Sequence, residues 1–373
     1  MPEQLKAWYL ANTTIRNPQR LKEGLRLFAS SPLHGNLVGR IREQQFAELL
    51  NEAGIVNVKR LRNTSDESKD ASDVGRKWRA AMMQMGFITA GPELSRRPYT
   101  ITPNGERLIG SQTLPEEQEC FLRALLAHQL PSQVDEYIQV SPFSPLRVVL
   151  QILKGLENIG LEAVLSQDEM AFIVQLVTNL EEVNEAIQKI AAFREGLKRA
   201  TKPKVYRKEY RQSIAAGIKD QKEDTIHTYA DANFRYLKLT GLFSDVGRRL
   251  RLAKYKMTII NQILATPFIP IPPDQYLEVL WNGASLPTDN VGQAIEAITT
   301  TANVLRAKLG AEKAEGLIQL ELISDLTQEK PADLSRLRLK LEDDLLKRLE
   351  VDYADQQKEQ GDDIVQYLSL IHI

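Results

Sequence analysis

The stretch VGRKWRAAMMQMGFI at residues 74–88 limits the possible folds more than any other part of the chain. Placed on a helix at roughly 100° per residue, Val74, Trp78, Ala81, Met82 and Met85 share one face, the stripe of a helix packed on a core. Arg76, Arg79, Ala80 and Met83 fall on the opposite face. Gly86 stands where a left-handed C-cap ends a helix. The β-like runs FI and YTI follow, separated by the turn-rich TAGPELSRRP, which predicts a hairpin with Arg96 and Arg97 at its tip. Pro103-Asn104-Gly105 closes the second run, and a further helix is expected nearby. A helix, a two-stranded hairpin and flanking helices make a winged-helix-like unit. The free helix face of such a unit suits the major groove of DNA, and its wing suits the phosphate backbone.

The same order recurs at ADANFRYLKLTGLF (230–243) followed by GRRLRLA (247–253). Helical spacing puts Ala230, Phe234 and Leu237 inward and leaves Thr228, Ala232, Arg235, Tyr236 and Leu239 outward. Gly241 is the expected C-cap and GRRLRLA the wing strand, with Arg248, Arg249 and Arg251 placed for phosphate contacts that release counterions. The inward registers of the two helices do not superimpose when their glycines are aligned, so the units share an architecture and not a duplicated sequence. Two core helices ending at ordinary loops are the plainer reading of both patterns.

Charge distribution adds to the argument where net charge does not. The formal net charge is −1, yet Arg194–Lys256 holds 17 Lys and Arg against 7 Asp and Glu, and residues 311–373 hold 15 acidic against 8 basic. A basic block inside a near-neutral chain suits a polyanion. With 373 residues and 43% hydrophobic composition there is chain for two or three domains. The one cysteine, Cys120, excludes an internal disulfide and a Cys-based zinc site, and its apolar helical surroundings predict burial. The four histidines, at 34, 128, 227 and 372, show no metal-ligand spacing, so no metal site is expected. No apolar run is long enough to span a membrane and no signal peptide pattern opens the chain, which predicts a cytoplasmic protein.

Between the two units the sequence reads as helices with clear ends. Ser144 is the expected N-cap of SPLRVVLQILKGLENIG, with Pro145 opening the helix and Gly160 following it. Ser166 and Glu169 form a capping-box pattern. The segment LEEVNEAIQKIAAFREGLKRA continues at helical spacing into TKPKVYRKEYR, whose Lys202, Lys204, Arg207, Lys208 and Arg211 are expected on a loop or helix start. That stretch fits either solvation or phosphate contact. Residues 288–310 and 331–355 also read as helices.

TTIRNPQRLKEGLRLF (13–28), GRKWRAAMMQMGFI (75–88), YTITPNG (99–105), LLAHQLPS (125–132), FSPLRVVLQILKGL (143–156) and FRYLKLTGLF (234–243) resemble, in order and spacing over roughly residues 8–265, the signatures of AlwI-type type IIS restriction and nicking endonucleases. The resemblance implies winged-helix-like recognition of a short asymmetric DNA site, a helical linker, and a C-terminal PD-(D/E)XK nuclease domain that cuts outside the site with Mg²⁺. Thr14, Arg16, Asn17, Pro18 and Arg20 match the family's Thr-x-Arg-Asn-Pro-x-Arg signature. Asn17 is then an N-cap with Pro18 opening the helix, leaving Thr14 and Arg16 on the preceding loop as candidate DNA contacts, though a plain capping motif explains the same residues. Gly75 and Arg76 match the Gly-Arg of the family's helix. Ala127-His128 departs from the family's basic-aromatic dipeptide, so no role is expected there.

The C-terminus departs further. A nuclease of this type needs carboxylates on neighbouring strands to hold Mg²⁺ beside a lysine. The acidic-x-Lys matches, Glu67-Ser68-Lys69 and Asp220-Gln221-Lys222, lie in polar, turn-rich stretches and read as coincidence. A truncated reading frame is the expectation, with no cofactor in this chain and Mg²⁺ in a complete family member. The expected fold is mainly α with small β-hairpins: a winged-helix-like recognition subdomain at 1–112, a second helical subdomain at 113–270 with its winged-helix-like unit at about 215–265, and a helical linker at 271–373. The expected function is sequence-specific binding of double-stranded DNA by a monomer, without cutting. Arg76, Arg79 and Arg235 are the candidate base readers, and Arg96, Arg97, Lys204, Arg248, Arg249 and Arg251 the candidate phosphate anchors. A dimeric winged-helix transcription regulator and a protein-interaction scaffold are the other classes the sequence allows.

Overall fold

A computed structural model describes residues 6–62, 70–89, 99–134, 141–218, 222–309, 326 and 329–360. The chain is mainly α-helical with a small antiparallel sheet. Its first half runs through α1 (Leu21–Ser30), α2 (Gly39–Glu52), α3 (Lys59–Arg62), α4 (Ser72–Gln84), α5 (Pro103–Gly110) and α6 (Leu114–Ala127). Next come α7 (Pro145–Asn158), β1 (Val164–Leu165), α8 (Gln167–Phe172), α9 (Val183–Arg199), α10 (Pro203–Ala215) and α11 (Glu223–Lys238). The hairpin β2 (Phe243–Val246) and β3 (Arg249–Leu252) precedes α12 (Met257–Ala265), α13 (Pro273–Asn282), α14 (Val291–Leu309) and α15 (Pro331–Gln360). Two compact units form: Met1–Gly110 with Cys120–Leu252 and Phe268–Ala284, and Ser111–Glu119 with Ala253–Pro267 and Ser285–Ile373.

In the larger unit α1 buries Leu21, Gly24, Leu25 and Phe28, and Phe28 meets Phe46 of α2 edge-on. Gly24 makes room for Trp78 of α4, whose ring a Cβ there would approach to 2.6 Å. Gly75 does the same for the α2–α4 crossing, since a Cβ would lie 1.9 Å from the Glu43 carbonyl oxygen. The stripe of α4 is buried as its spacing predicts at Trp78, Ala81, Met82 and Met85. Gly86 ends the helix at φ +68°, and Ile88 then bridges Ile101 antiparallel, with Thr89 N–H donating to the Thr100 carbonyl at 2.8 Å. The tip of this hairpin, with Arg96 and Arg97, lies outside the described residues.

The sheet runs β1-β3-β2, so the predicted hairpin gains a third strand from Val164–Leu165. Leu250 and Leu252 point into the core, while the alternation of a strand turns Arg249 and Arg251 to the other face. Ser166 and Glu169 form the full capping box at the start of α8. Ser144 does not cap α7, although it holds the N-cap position before Pro145, and its buried hydroxyl has no hydrogen-bond partner among the described residues.

The basic stretch after residue 201 is the start of a helix, one of the two forms expected, with Tyr206 and Tyr210 of α10 packed on Phe193 of α9. One expectation is corrected. Ala232 and Tyr236 of α11 are buried and not outward, because the N-terminal segment crosses that face of the helix.

In the smaller unit α14 packs on α15 through Ala294, Ile298, Ala302 and Leu305 against Leu334, Leu341 and Leu345, as the helical reading of both stretches predicts. Charges are also buried there: Arg338 pairs with Glu342 and Glu119, and Lys256 pairs with Glu342. Removing one partner of such a cluster would be costly, because it leaves an unpartnered charge in the core. No helix among the described residues is long and apolar enough to cross a membrane.

Candidate nucleic-acid interface

The N-terminal segment runs over α11 and is held by its side chains. Leu10 N–H donates to Asn233 Oδ1 at 2.9 Å, and Asn233 Nδ2 donates to the Trp8 carbonyl and to Gln175 Oε1. The Tyr236 hydroxyl donates to the Asn12 carbonyl at 3.2 Å, and Arg235 Nη1 donates to the Ile15 carbonyl at 2.6 Å. Arg235 also pairs with Asp231 at 3.0 Å. Its side chain is 19% exposed, so its donors serve the loop and its own helix. Thr14 and Arg16 stand exposed on the loop so held, the Thr14 hydroxyl donating to Asn12 Oδ1 at 2.6 Å.

Asn17 does not cap the 3₁₀ turn Pro18–Arg20. Its backbone stands at φ −128° and ψ 80°, its side chain accepts no hydrogen bond from the turn, and its buried Oδ1 has no partner among the described residues. Arg20 of the same motif is structural, pairing with Glu23 at 2.5 Å and donating to the Gly54 carbonyl at 2.6 Å.

On α4 the two arginines of the outward face separate. Arg76 is exposed. Arg79 pairs with buried Glu43 at 2.6 Å, donates to the Tyr99 hydroxyl at 3.0 Å and lies over the Tyr99 ring, leaving its side chain 17% exposed. The hairpin divides its arginines in the same way. Arg248 is exposed beside the left-handed turn residue Gly247, whereas Arg249 pairs with Glu162 at 2.6 Å and Arg251 Nε donates to Ser244 Oγ at 3.2 Å. On α10, Lys204 is exposed together with Arg207 and Lys208, but Arg211 turns in to Asp168 at 2.9 Å. Asp168 also faces His227, whose pKa is lowered by burial and then by the Arg211 charge.

Four of the sequence-predicted cations, Arg16, Arg76, Lys204 and Arg248, are thus exposed with no hydrogen-bond or ion-pair partner among the described residues. Arg79, Arg235, Arg249 and Arg251 are engaged. Periodicity did not single out the exposed apolar pair Val38 (55%) and Ile41 (76%), which flanks Arg40 at the start of α2. The signal available was two apolar residues around a glycine and arginines, in LVGRIR.

His128 is fully buried with neither ring nitrogen bonded among the described residues, and burial pushes its pKa down to about 4. The acidic-x-Lys match at 67–69 lies outside the described residues, as do Asp220 and Gln221 of the second match. Among the described residues no group of three His, Cys, Asp or Glu could hold a metal ion.

Residues 83–373 match the AlwI restriction endonuclease family. The chain belongs to that family. The matched span of this AlwI-family chain takes in the C-terminal helices and begins within α4, after Arg76 and Arg79. A solved structure described as pyrene- and phenanthrene-modified DNA in complex with the BpuJ1 endonuclease binding domain is similar over 70% of this chain and 86% of that one, at 16% identity and a TM-score of 0.45. No curated protein matches.

Proposed function

We propose that this chain binds double-stranded DNA sequence-specifically, as a monomer on a short asymmetric site, and is the recognition and linker part of a type IIS restriction endonuclease. The observation that carries this reading is the set of four exposed cations without a partner among the described residues, Arg16, Arg76, Lys204 and Arg248, in a chain of the AlwI restriction endonuclease family. Unpaired guanidinium and ammonium groups are the groups that neutralise phosphates, and an arginine on an exposed helix face is the commonest reader of guanine. In this reading α4 presents Arg76 to the major groove, Arg96, Arg97, Lys204 and Arg248 anchor the backbone, and Arg249 and Arg251, held by Glu162 and Ser244, support the hairpin that carries Arg248. Thr14 and Arg16 meet DNA from the N-terminal loop, next to Asn17, and the two hairpins act as wings beside their helices. The chain acts in the cytoplasm, and a complete enzyme would supply the Mg²⁺-dependent nuclease.

The test is selection of bound duplexes from a random-sequence pool at moderate salt, with a Mg²⁺ cleavage check on the same pool. One short asymmetric site enriched without cutting supports the proposal. Cutting would place a nuclease site in this chain, a palindrome would favour a dimeric regulator, and no enrichment would favour a protein scaffold.

A further inference from the structure

We infer that α11 acts as a clamp that sets the conformation of the Asn12–Asn17 loop, with Arg235 and Tyr236 as positioning residues and not DNA contacts. This rests on the reading above, in which Thr14 and Arg16 meet DNA. A loop that carries a specific contact must be held, because ordering it on binding costs conformational entropy. The free loop has little of its own to hold it: Thr14 bonds Asn12, Ile15 N–H donates to the Asn12 carbonyl at 3.3 Å, and the Asn17 cap is not made.

Side chains from one turn of α11 supply the rest. Asn233 accepts from Leu10 N–H, Tyr236 donates to the Asn12 carbonyl, and Arg235 donates to the Ile15 carbonyl. Ile15 is itself buried, so its carbonyl and side chain pin the loop between the two exposed residues Thr14 and Arg16. Asp231, one turn back, pairs with Arg235 Nη2 at 3.0 Å, and the same nitrogen donates to the Thr13 carbonyl at 3.5 Å. Tyr236 is the deciding residue. It is 0% exposed, so its hydroxyl can influence DNA only through the Asn12 carbonyl that it bonds.

The experiment uses the full chain and two probes, the duplex enriched by selection and a random duplex of equal length. Affinities are measured for Arg16→Ala, Arg235→Ala, Tyr236→Phe and the double variants with Arg16→Ala, and amide exchange across residues 12–17 is followed in the DNA-free protein. Tyr236→Phe is expected to lower affinity for the enriched duplex by about 2- to 10-fold and to leave the random duplex unchanged. Arg235→Ala is expected to do the same more strongly. Both should cost less once Arg16 is alanine, with only the Thr14 contact left to lose, and both should speed exchange across the loop. Tyr236→Phe keeps the buried ring and is the variant that counts if Arg235→Ala does not fold.

Full additivity of Arg235→Ala with Arg16→Ala would overturn the inference by making Arg235 a direct contact. So would a Tyr236→Phe protein with unchanged specific affinity. A silent Arg16→Ala would instead overturn the reading that this loop meets DNA, and the inference with it, even where exchange shows that the loop has been released.

Discussion

Arg76 and Arg79 lie about one turn apart on α4 and have opposite surroundings, so their alanine variants should differ in kind. Arg76 is exposed, and Arg76→Ala should cost about 1 to 3 kcal/mol of specific binding and relax the preference at one base position, with no change in folding stability. Arg79 satisfies buried Glu43, and Arg79→Ala should lower unfolding free energy by roughly 3 kcal/mol through the carboxylate left behind. Its slope of binding against salt should stay as it was. Binding titrations and denaturant unfolding on both variants separate the two roles. Equal losses from the enriched and the random duplex in Arg76→Ala would refute the groove assignment. His128 gives a pH dependence of defined sign. Its folded pKa is about 4 against an ordinary value of 6.5, so the unfolded chain binds the proton first. The stability this group contributes is complete above pH 6.5 and is lost as pH falls towards 4, amounting to about 3 kcal/mol. His128→Leu should remove that part of the slope, which unfolding curves of both proteins between these pH values would show.

At the scale of elements, close approach decides which glycines can change. Gly75→Ala drives a methyl group into the Glu43 backbone, so α2 and α4 must separate, at a cost of about 1 to 3 kcal/mol. The shift would also move Arg76, one residue along the helix, and specific binding should weaken with stability. Gly247 has a positive φ of 60° but open space around its missing Cβ. Gly247→Ala should cost only the left-handed strain, about 1 kcal/mol. Thermal unfolding of the two variants checks the order, and a milder effect at Gly75 than at Gly247 would contradict the tight α2–α4 crossing.

For the molecule as a whole, the phosphate anchors without a partner among the described residues set the electrostatic part of binding. Neutralising Lys204 and Arg248 together should lower the slope of log affinity against log salt by about 2 units. Removing the engaged Arg79 and Arg235 should leave that slope nearly unchanged. Affinity for a random duplex at several salt concentrations measures both. An equal fall in the two sets would mean that pairing inside the protein does not withhold these charges from DNA. Much of this molecule could be read locally. Gly86 and Gly241 end helices at positive φ, the box at Ser166 and Glu169 is formed, and the stripe of α4 is buried, because each depends on residues a few positions apart. The short strand β1 escaped, because two residues carry no period. Ala232 and Tyr236 were misplaced because a distant segment covers α11. The sequence by itself determined the helices, the hairpins and the arginines they carry. Only the tertiary structure decided which arginines stay unpaired, since Glu43, Glu162 and the Ile15 carbonyl reach Arg79, Arg249 and Arg235 across 36, 87 and 220 residues. Helical and strand periods relate neighbours within one element, and an ion pair between elements lies outside their range.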